Sequence, residues 1–492
     1  MRLDSYKISI ANKFFSMNIL VQIPCIVEHY APVFEDLFSP EGYIYFKRFI
    51  SGLLVSENKT VDGINRLFVA DPRNQSSFNR FINRQNFDLI ALNQRRVGLM
   101  QANEATRFKT AVGNSGVLAL DDSIISHYGH HFDHISNLWD HVAKHYTYAH
   151  NLVSLTYSDD KTDYPIAHAL WLPPDWDAVT SKMQELKIHI NAERLATRTT
   201  EVAKWRTYIK DRYKDYHHKH PELLAVYKPK TYYGLDMLRA FHKQYPDLDL
   251  PVAMDGGYTS AAFCKTVDTE FKMAYVGSLS QTQHVILAGS ESIPLSEFIK
   301  RLKDQHKAKA EKNDKQRFFK TTIHYKGQTI VYYAYCATHR IKGFEKKQRL
   351  VIAFREKDLT DTPYCSICNR MNWHASGILR IRRHRWPIET FHQEGKDEGL
   401  DKYQVRNFEA IESHIAFVSV AYTMLKCALH DDDLLSKFRQ RLPIGSDGTL
   451  PLLRRLMQLE GLMALVEFVH LKVNQGKAIE DIFRQLIHPA AY

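Results

Sequence analysis

The chain has no apolar run long enough to cross a bilayer. Its best candidate, Ile415 to Leu425, is short and mixed, whereas a spanning helix needs about 20 apolar residues. The opening Met1-Arg2-Leu3-Asp4 lacks the long apolar region of a secretory signal. Cysteine is scarce, with six residues scattered at positions 25, 264, 336, 365, 368 and 427, and this excludes a disulfide framework. Cys365 and Cys368 form one C-x2-C without a second pair at zinc-ribbon spacing, so buried thiols on a short strand are expected. Seven histidines fall between His127 and His150. His130-His131-x2-His134 lacks the paired spacing and companion acid of helical zinc motifs, and a polar hairpin or loop is expected there. A soluble, reducing, cytoplasmic setting with no membrane partner follows as the expectation.

What is present is basic and large. The net charge is +11 over 492 residues, with a pI near 9.1, a balance that favours a polyanionic partner. That length exceeds one ordinary core, so several structural units are expected.

Three short segments carry the chemistry. Residues 382 to 396 read Arg-Arg-His-Arg-Trp-Pro-Ile-Glu-Thr-Phe-His-Gln-Glu-Gly-Lys. Pro387 suits the first position of a helix, because its φ is preset and it lacks an N–H. Glu389 then lies in the first turn, where exposed amides favour a carboxylate. Lys396 follows two turns later on the same face, and Arg382 and Arg385 lead in. Upstream, the apolar run from Val117 to Leu120 ends in Asp121-Asp122, and Val252-Ala253-Met254 ends in Asp255-Gly256-Gly257-Tyr258. Each reads as a buried strand with acids at its end, the second followed by glycines that permit a sharp turn. Three hard oxygen ligands suit Mg²⁺ or Mn²⁺.

On these residues the chain resembles an insertion-sequence transposase of the DDE class, from the group with a Tyr-x2-Arg-x3-Glu-x6-Lys signature. Arg385, Glu389 and Lys396 match that signature at its spacing, while Arg382 stands at the Tyr position. Asp255, Gly257 and Tyr258 match the pattern around the second aspartate. The first falls at Asp121, with Asp122 the alternative register. The resemblance spans roughly residues 113 to 430. It implies an α/β fold with an RNase H-like catalytic core, a β-rich insertion before the catalytic Glu, and helical regions at both ends. It also implies catalytic, metal-binding Asp121, Asp255 and Glu389 with two Mg²⁺ or Mn²⁺ ions, and DNA contacts by Arg382, Arg385, Lys396, Tyr258 and Trp373, the last as a receiver for a flipped base. The partners implied are double-stranded DNA, as transposon ends and target, and a second copy in a homodimer on DNA. The setting implied is bacterial cytoplasm, at the nucleoid when bound.

The chain divides accordingly into an N-terminal helical DNA-binding domain (1–112), a first core part (113–275) with a basic helical excursion at about 175–225, a β-rich insertion (276–370), a second core part (371–430) and a C-terminal helical region (431–492). In the first unit, Phe46, Phe49, Ile50, Leu53 and Leu54 have helical spacing. Thr60 is expected to cap a helix through Leu67, and Ser76 or Ser77 another through Ile82. Two short helices across the Asp71-Pro72-Arg73 turn, near Arg66, Arg73, Arg80 and Arg84, permit a helix-turn-helix. Strands are expected at Asn151–Tyr157, Pro165–Leu172, Thr322–Tyr325, Thr329–Cys336, Leu350–Phe354 and Tyr364–Cys368, with a turn at Lys326-Gly327 and a helix capped by Asn372. Residues 408 to 429 should form an apolar helix packed on the sheet, and the last 60 residues a helical tail with a loop at Gly445-Ser446-Asp447-Gly448.

The function expected is strand cleavage and strand transfer at the terminal inverted repeats of a mobile element. The alternatives are a DNA-binding protein of the same descent without catalysis, and a metal-dependent nuclease without strand transfer. The basic runs at 204 to 230 and 300 to 320 generate the first prediction. Each phosphate neutralised adds roughly 0.9 to the slope of log K against log salt on duplex DNA. Neutralising Lys307, Lys309 and Lys312 together should therefore flatten that slope, and an unchanged slope returns this run to an ordinary solvated face.

Overall fold

The computed structural model describes residues 19–84, 86–110, 115–141, 143–196, 198–311, 317–441 and 448–487. One mixed sheet of twelve strands runs through it. Its order is β2-β3-β1-β5-β6-β12-β11-β10-β7-β8, with β4 paired to β3 and β9 to β10. The strands are β1 (Val117–Ser126), β2 (Ser136–Asp140), β3 (His145–Ser158), β4 (Asp163–Trp171), β5 (Val252–Met254), β6 (Tyr275–Ser278), β7 (His284–Ile286), β8 (Ser292–Pro294), β9 (Phe319–Tyr325), β10 (Gln328–Ile341), β11 (Gln348–Phe354) and β12 (Tyr364–Cys368). Only β1, β5 and β6 run parallel to one another.

The N-terminal region is helical: α1 (Cys25–Tyr30), α2 (Pro40–Val55), α3 (Val61–Leu67), α4 (Gln75–Asn83) and α5 (Leu89–Ala102). Thr60 caps α3 by accepting from the Gly63 amide. The cap of α4 is Asn74, two residues before the expected serines, because its side chain accepts from the Ser76 amide. Seven residues separate α3 from α4, longer than the three or four of a helix-turn-helix, so that motif is not formed. Phe78 and Ile82 of α4 instead turn into the main core.

The excursion after β4 contains α6 (Trp176–Glu185), α7 (Ala192–Ala196) and α8 (Val202–Tyr216). It owns a small core, in which Trp205 and Tyr213 are buried with Val179, Met183 and Ile209. Its aromatics thus pack inward between the charges. Next come α9 (Lys230–Gln244), α10 (Ala261–Thr269) and α11 (Leu295–Glu311), then α12 (Ala375–Arg383), α13 (Pro387–Asp397), α14 (Phe408–Ala428), α15 (Asp432–Arg441), α16 (Leu450–Asn474) and α17 (Ile479–Ile487). His374, not Asn372, stands at the N-cap of α12, without a side-chain bond. Residues 445–447 of the expected loop, and the opening residues 1–18, lie outside the described residues.

The strands of the β-rich stretch extend the core sheet, since β12 pairs with β6. At the tip of the β9–β10 hairpin, Lys326 and Gly327 have φ of 47° and 76°, the two positive values that a tight two-residue turn needs. Cys365 and Cys368 are buried free thiols, each pushed up to about 12 by burial. No helix among the described residues is long and apolar enough to cross a membrane.

Helix α14 joins the N-terminal helices to the sheet. Phe417 lies among the rings of Phe38, Phe46, Phe49, Phe81 and Phe87 at centroid distances of 5.1 to 6.5 Å. A buried ion cluster ties the hairpin tip to the same helix. Asp163 accepts from Lys326 Nζ at 2.6 Å and from Lys426 Nζ at 3.1 Å. Burial by itself raises the Asp163 carboxyl, but the two lysines outweigh it and hold it down at about 2.

Two stability predictions follow from this packing. Phe417→Ala should cost about 3–5 kcal/mol in urea unfolding, the usual range for a large core ring. Asp163→Asn should cost about 3 kcal/mol at neutral pH, because it takes the carboxylate from Lys326 and leaves Lys426 with the longer pair to Glu394 at 3.8 Å. A depressed folded pKa stabilises above the unfolded value and is lost as pH falls through the folded one. The difference between the variant and the natural protein should therefore shrink between pH 4 and pH 2, and a constant difference would show that the charge is irrelevant.

Candidate active site

Leu120 on β1 lies opposite Met254 on β5 in the parallel register. The next residue on each strand is an aspartate, so Asp121 and Asp255 emerge side by side from strands about 4.8 Å apart. β1 does not end at its acids as the apolar run suggested. It continues to Ser126 with β3 as partner, and it is β5 that stops. The turn after Asp255 forms at Gly256 and Gly257 without a positive φ at either, so the glycine freedom expected there is not used.

Because residues alternate across a strand, Asp121 and Asp122 face opposite ways. Asp121 turns toward α13 and forms an ion pair with the Arg385 guanidinium. The other arm of Arg385 holds Glu389 Oε1 at 2.6 Å. Pro387 opens α13 and Glu389 lies in its first turn, as the sequence predicts. Asp122 turns to the opposite face. It accepts from Asn151 Nδ2 at 2.7 Å, Lys230 Nζ at 2.8 Å and the Tyr258 hydroxyl at 3.2 Å.

The corner that carries Arg385 is anchored from three sides. His384 is fully buried, hydrogen-bonded to Ser158 Oγ at 2.9 Å and 3.3 Å from Asp160. His392, two turns on, meets Ser154 Oγ at 3.0 Å. Glu394 accepts from the Tyr422 hydroxyl of α14 at 2.8 Å. These partners are 28 to 238 residues apart in sequence, and no local pattern announces them.

The other sequence candidates divide. Arg382 lies over the Tyr364 ring at 4.4 Å; burial, then Arg385, lowers its pKa, with Asp255 among the opposing charges. Lys396 is half-buried on α13, and its ammonium has no ion pair or hydrogen bond among the described residues. Tyr258 is 2% exposed, so it supports Asp122 and does not present itself to DNA. Trp373 is half-buried against the α12 core, and its carbonyl accepts from Arg349. Asn151 and Lys230 entered the sequence reading only as the start of a strand and the end of a basic run, not as partners of Asp122.

Among the described residues no three His, Cys, Asp or Glu side chains form a ready-made metal cage. The donor chemistry nevertheless fits a hard divalent ion. Burial pushes the Asp121 carboxyl up to about 7; Arg385 opposes this and the Asp255 charge adds to it. Negative charge at this point is thus undercompensated even with a guanidinium in contact, a deficit that a divalent cation relieves.

Comparison with known proteins places these residues in context. The profile of a family described as DDE superfamily endonuclease matches residues 46–301, just over half of the chain. A second, described as transposase DDE domain, matches residues 215–424. A solved piggyBac transposase synaptic complex with hairpin DNA is similar at 11% identity and a TM-score of 0.40, over 86% of this chain and 71% of that one. No curated protein matches the sequence.

Proposed function

The chain belongs to the DDE superfamily of endonucleases, and from that premise we propose that it is an insertion-sequence transposase of the Y-R-E-K group. It cleaves DNA at the terminal inverted repeats of its element and transfers the freed strands to a target. The observation that carries this reading is the convergence of Asp121, Asp255 and Glu389 around one arginine.

In this reading the region from β1 to α14 is an RNase H-like core, and residues 276–370 are the insertion that precedes Glu389. Residues 1–112 bind the element's ends through exposed arginines such as Arg80 and Arg84, and residues 431–492 serve dimer or DNA contacts. Asp121, Asp255 and Glu389 hold two Mg²⁺ or Mn²⁺ ions. When bound, such ions activate the attacking hydroxyl and support the leaving oxygen of an in-line displacement at phosphorus.

The chain's own groups do the rest. Arg385 links Asp121 to Glu389 and keeps both carboxylates aimed at one point. Lys396, with no carboxylate partner among the described residues, offers a point charge to a phosphate near the scissile bond. Arg382, stacked on Tyr364, adds positive potential beside Asp255. Tyr258, Asn151 and Lys230 hold Asp122 on the far face and so fix the orientation of Asp121 next to it.

The test pairs gel-shift binding with Mg²⁺-dependent nicking of DNA from the borders of the coding region. Asp121→Ala, Asp255→Ala and Glu389→Ala should each abolish nicking while binding persists, because binding rests on cations remote from the acids. Asp122→Ala is the register control and should still nick. Loss in Asp122→Ala with activity in Asp121→Ala would move the first ligand by one residue. Nicking by all three single variants would sink the DDE assignment for these residues. Nicking without joining to a target plasmid would leave a nuclease.

A further inference from the structure

The β-rich stretch contains a notch in the sheet. β10 and β11 run together as far as His339 and Gln348, but β9 accompanies β10 only to Ala334, opposite Phe319. Among the described residues no strand pairs with Tyr335 to His339 on that side. A cavity of about 740 Å³ occupies the gap, within the usual range of ligand pockets. Arg317 and Lys320 enter it from the β9 side, Arg349 from β11, and Ala375 and Ser376 from the start of α12.

The wall is cationic and lacks compensation. Lys309 joins the other three cations from the end of α11, and no Asp or Glu lines the cavity among the described residues. Elsewhere in the same stretch cations find carboxylates: Lys326 has Asp163, Lys346 has Asp268, and Arg301 has Glu291 and Glu297. Here Arg317 Nε donates to Gln305 Oε1 at 2.9 Å, and Arg349 Nε to the Trp373 carbonyl at 3.2 Å. Neither guanidinium has a carboxylate partner among the described residues, and neither has the Lys320 ammonium. Arg349 is half-buried, and a guanidinium withdrawn from water without a counter-ion is costly. An anion entering the cavity removes that cost.

The donors in the wall select among anions. Two guanidinium groups and an ammonium offer more N–H donors than one carboxylate accepts. A phosphate group, with paired oxygens for each guanidinium fork and room for a point charge, matches them. The start of α12 reinforces the cations, because its N-cap His374 makes no side-chain bond and the first amides of a helix favour negative charge.

The register places the cavity relative to the acids. Arg349 lies opposite Cys368, Cys368 opposite Val276, and Val276 opposite Ala253. Directly opposed residues share a face, as do alternate residues along a strand, so Arg349 is on the sheet face of Ala253 and Asp255. α12 covers the sheet between them: it begins at the cavity and ends two residues before Arg385.

We propose that this notch is a phosphate-binding site, separate from the acids, in which Arg317, Lys320 and Arg349 hold the group. The phosphate belongs to a DNA backbone lying across this face or to a free phosphate-bearing molecule, and the chemistry of capture is the same. The site uses none of the three acids, so it goes beyond the transposase reading and does not depend on it.

Cys336 reports on the cavity, which it lines as a half-buried free thiol. Cys25, the other half-buried thiol, lies on α1 and is the internal control. The full chain is alkylated with iodoacetamide and both rates are read by peptide mass. The conditions are potassium phosphate, potassium acetate of equal ionic strength, and acetate with a random-sequence DNA duplex. Phosphate should slow Cys336 at least about threefold once it exceeds twice its Kd, by occupancy alone, and leave Cys25 unchanged. Slowing by the duplex assigns the group to a DNA backbone; slowing by inorganic phosphate alone assigns it to a free molecule. Arg317→Gln/Lys320→Gln changes two exposed side chains and should abolish the slowing, with an unaltered melting temperature as the check on the fold. No slowing by phosphate or duplex relative to acetate overturns the proposal, as does slowing that survives in the variant. Neither result bears on nicking by the acids, so failure of this site and failure of the transposase reading are read separately.

Discussion

Two aspartates leaving adjacent parallel strands at the same level repel one another, and the surrounding structure is arranged around that repulsion. Arg385 bears on both aspartates and on Glu389, yet burial first, with the Asp255 charge adding to it, still pushes Asp121 up to about 7. A half-buried pair of carboxylates on neighbouring strands persists in a fold only where something holds the backbone against it. Here β3 holds β1 along its whole length, and the parallel register with β5 fixes the other aspartate. The remaining freedom lies in α13, which brings Glu389.

That helix is positioned by contacts on both sides of its functional residue. His384 before it, His392 within it and Glu394 beyond it each bind a different element. Through Asp160 and Asp163 the same anchor reaches the β9–β10 hairpin, because the Lys326 amide donates to Asp160 while its side chain binds Asp163. The β-rich stretch and the helix that carries Glu389 therefore share one ionic hub at the β3–β4 turn.

How much of this could be read in the sequence depended on the range of the interaction. Pro387 and Glu389 were readable because helix starts are local. So were the Thr60 cap, the Lys326-Gly327 turn and the apolar runs before Asp121 and Asp255. The caps at Asn74 and His374 were misplaced by two or three residues, since several polar residues compete at each start and tertiary packing chooses between them. The end of β1 was misread because strand length is set by a partner, and β3 pairs with β1 past the polar Asp121-Asp122-Ser123 as far as Ser126. The helix-turn-helix expectation failed because α4 is drawn into the ring cluster around Phe417. The role of Tyr258 changed because burial is not visible in a motif. Lys230 and Asn151 were missed because their partner lies 108 and 29 residues away.

The strand alternation that separates Asp121 from Asp122 also divides labour between the two sheet faces. On one face Asp122 is saturated by an amide, an ammonium and a phenol, and α9 packs so closely that a side chain at Gly234 would strike Leu120. That face supports. On the other face Asp121 meets a cation and another acid, and the covering helix carries Lys396 toward solvent. A single-residue slip of β1 would exchange these environments, placing Asp122 beside Arg385 and Asp121 against the packed helix. The Asp-Asp pair is thus not redundant. The register of β1 against β3, set by the apolar residues on either side of the pair, decides which acid faces Arg385 and which faces Lys230.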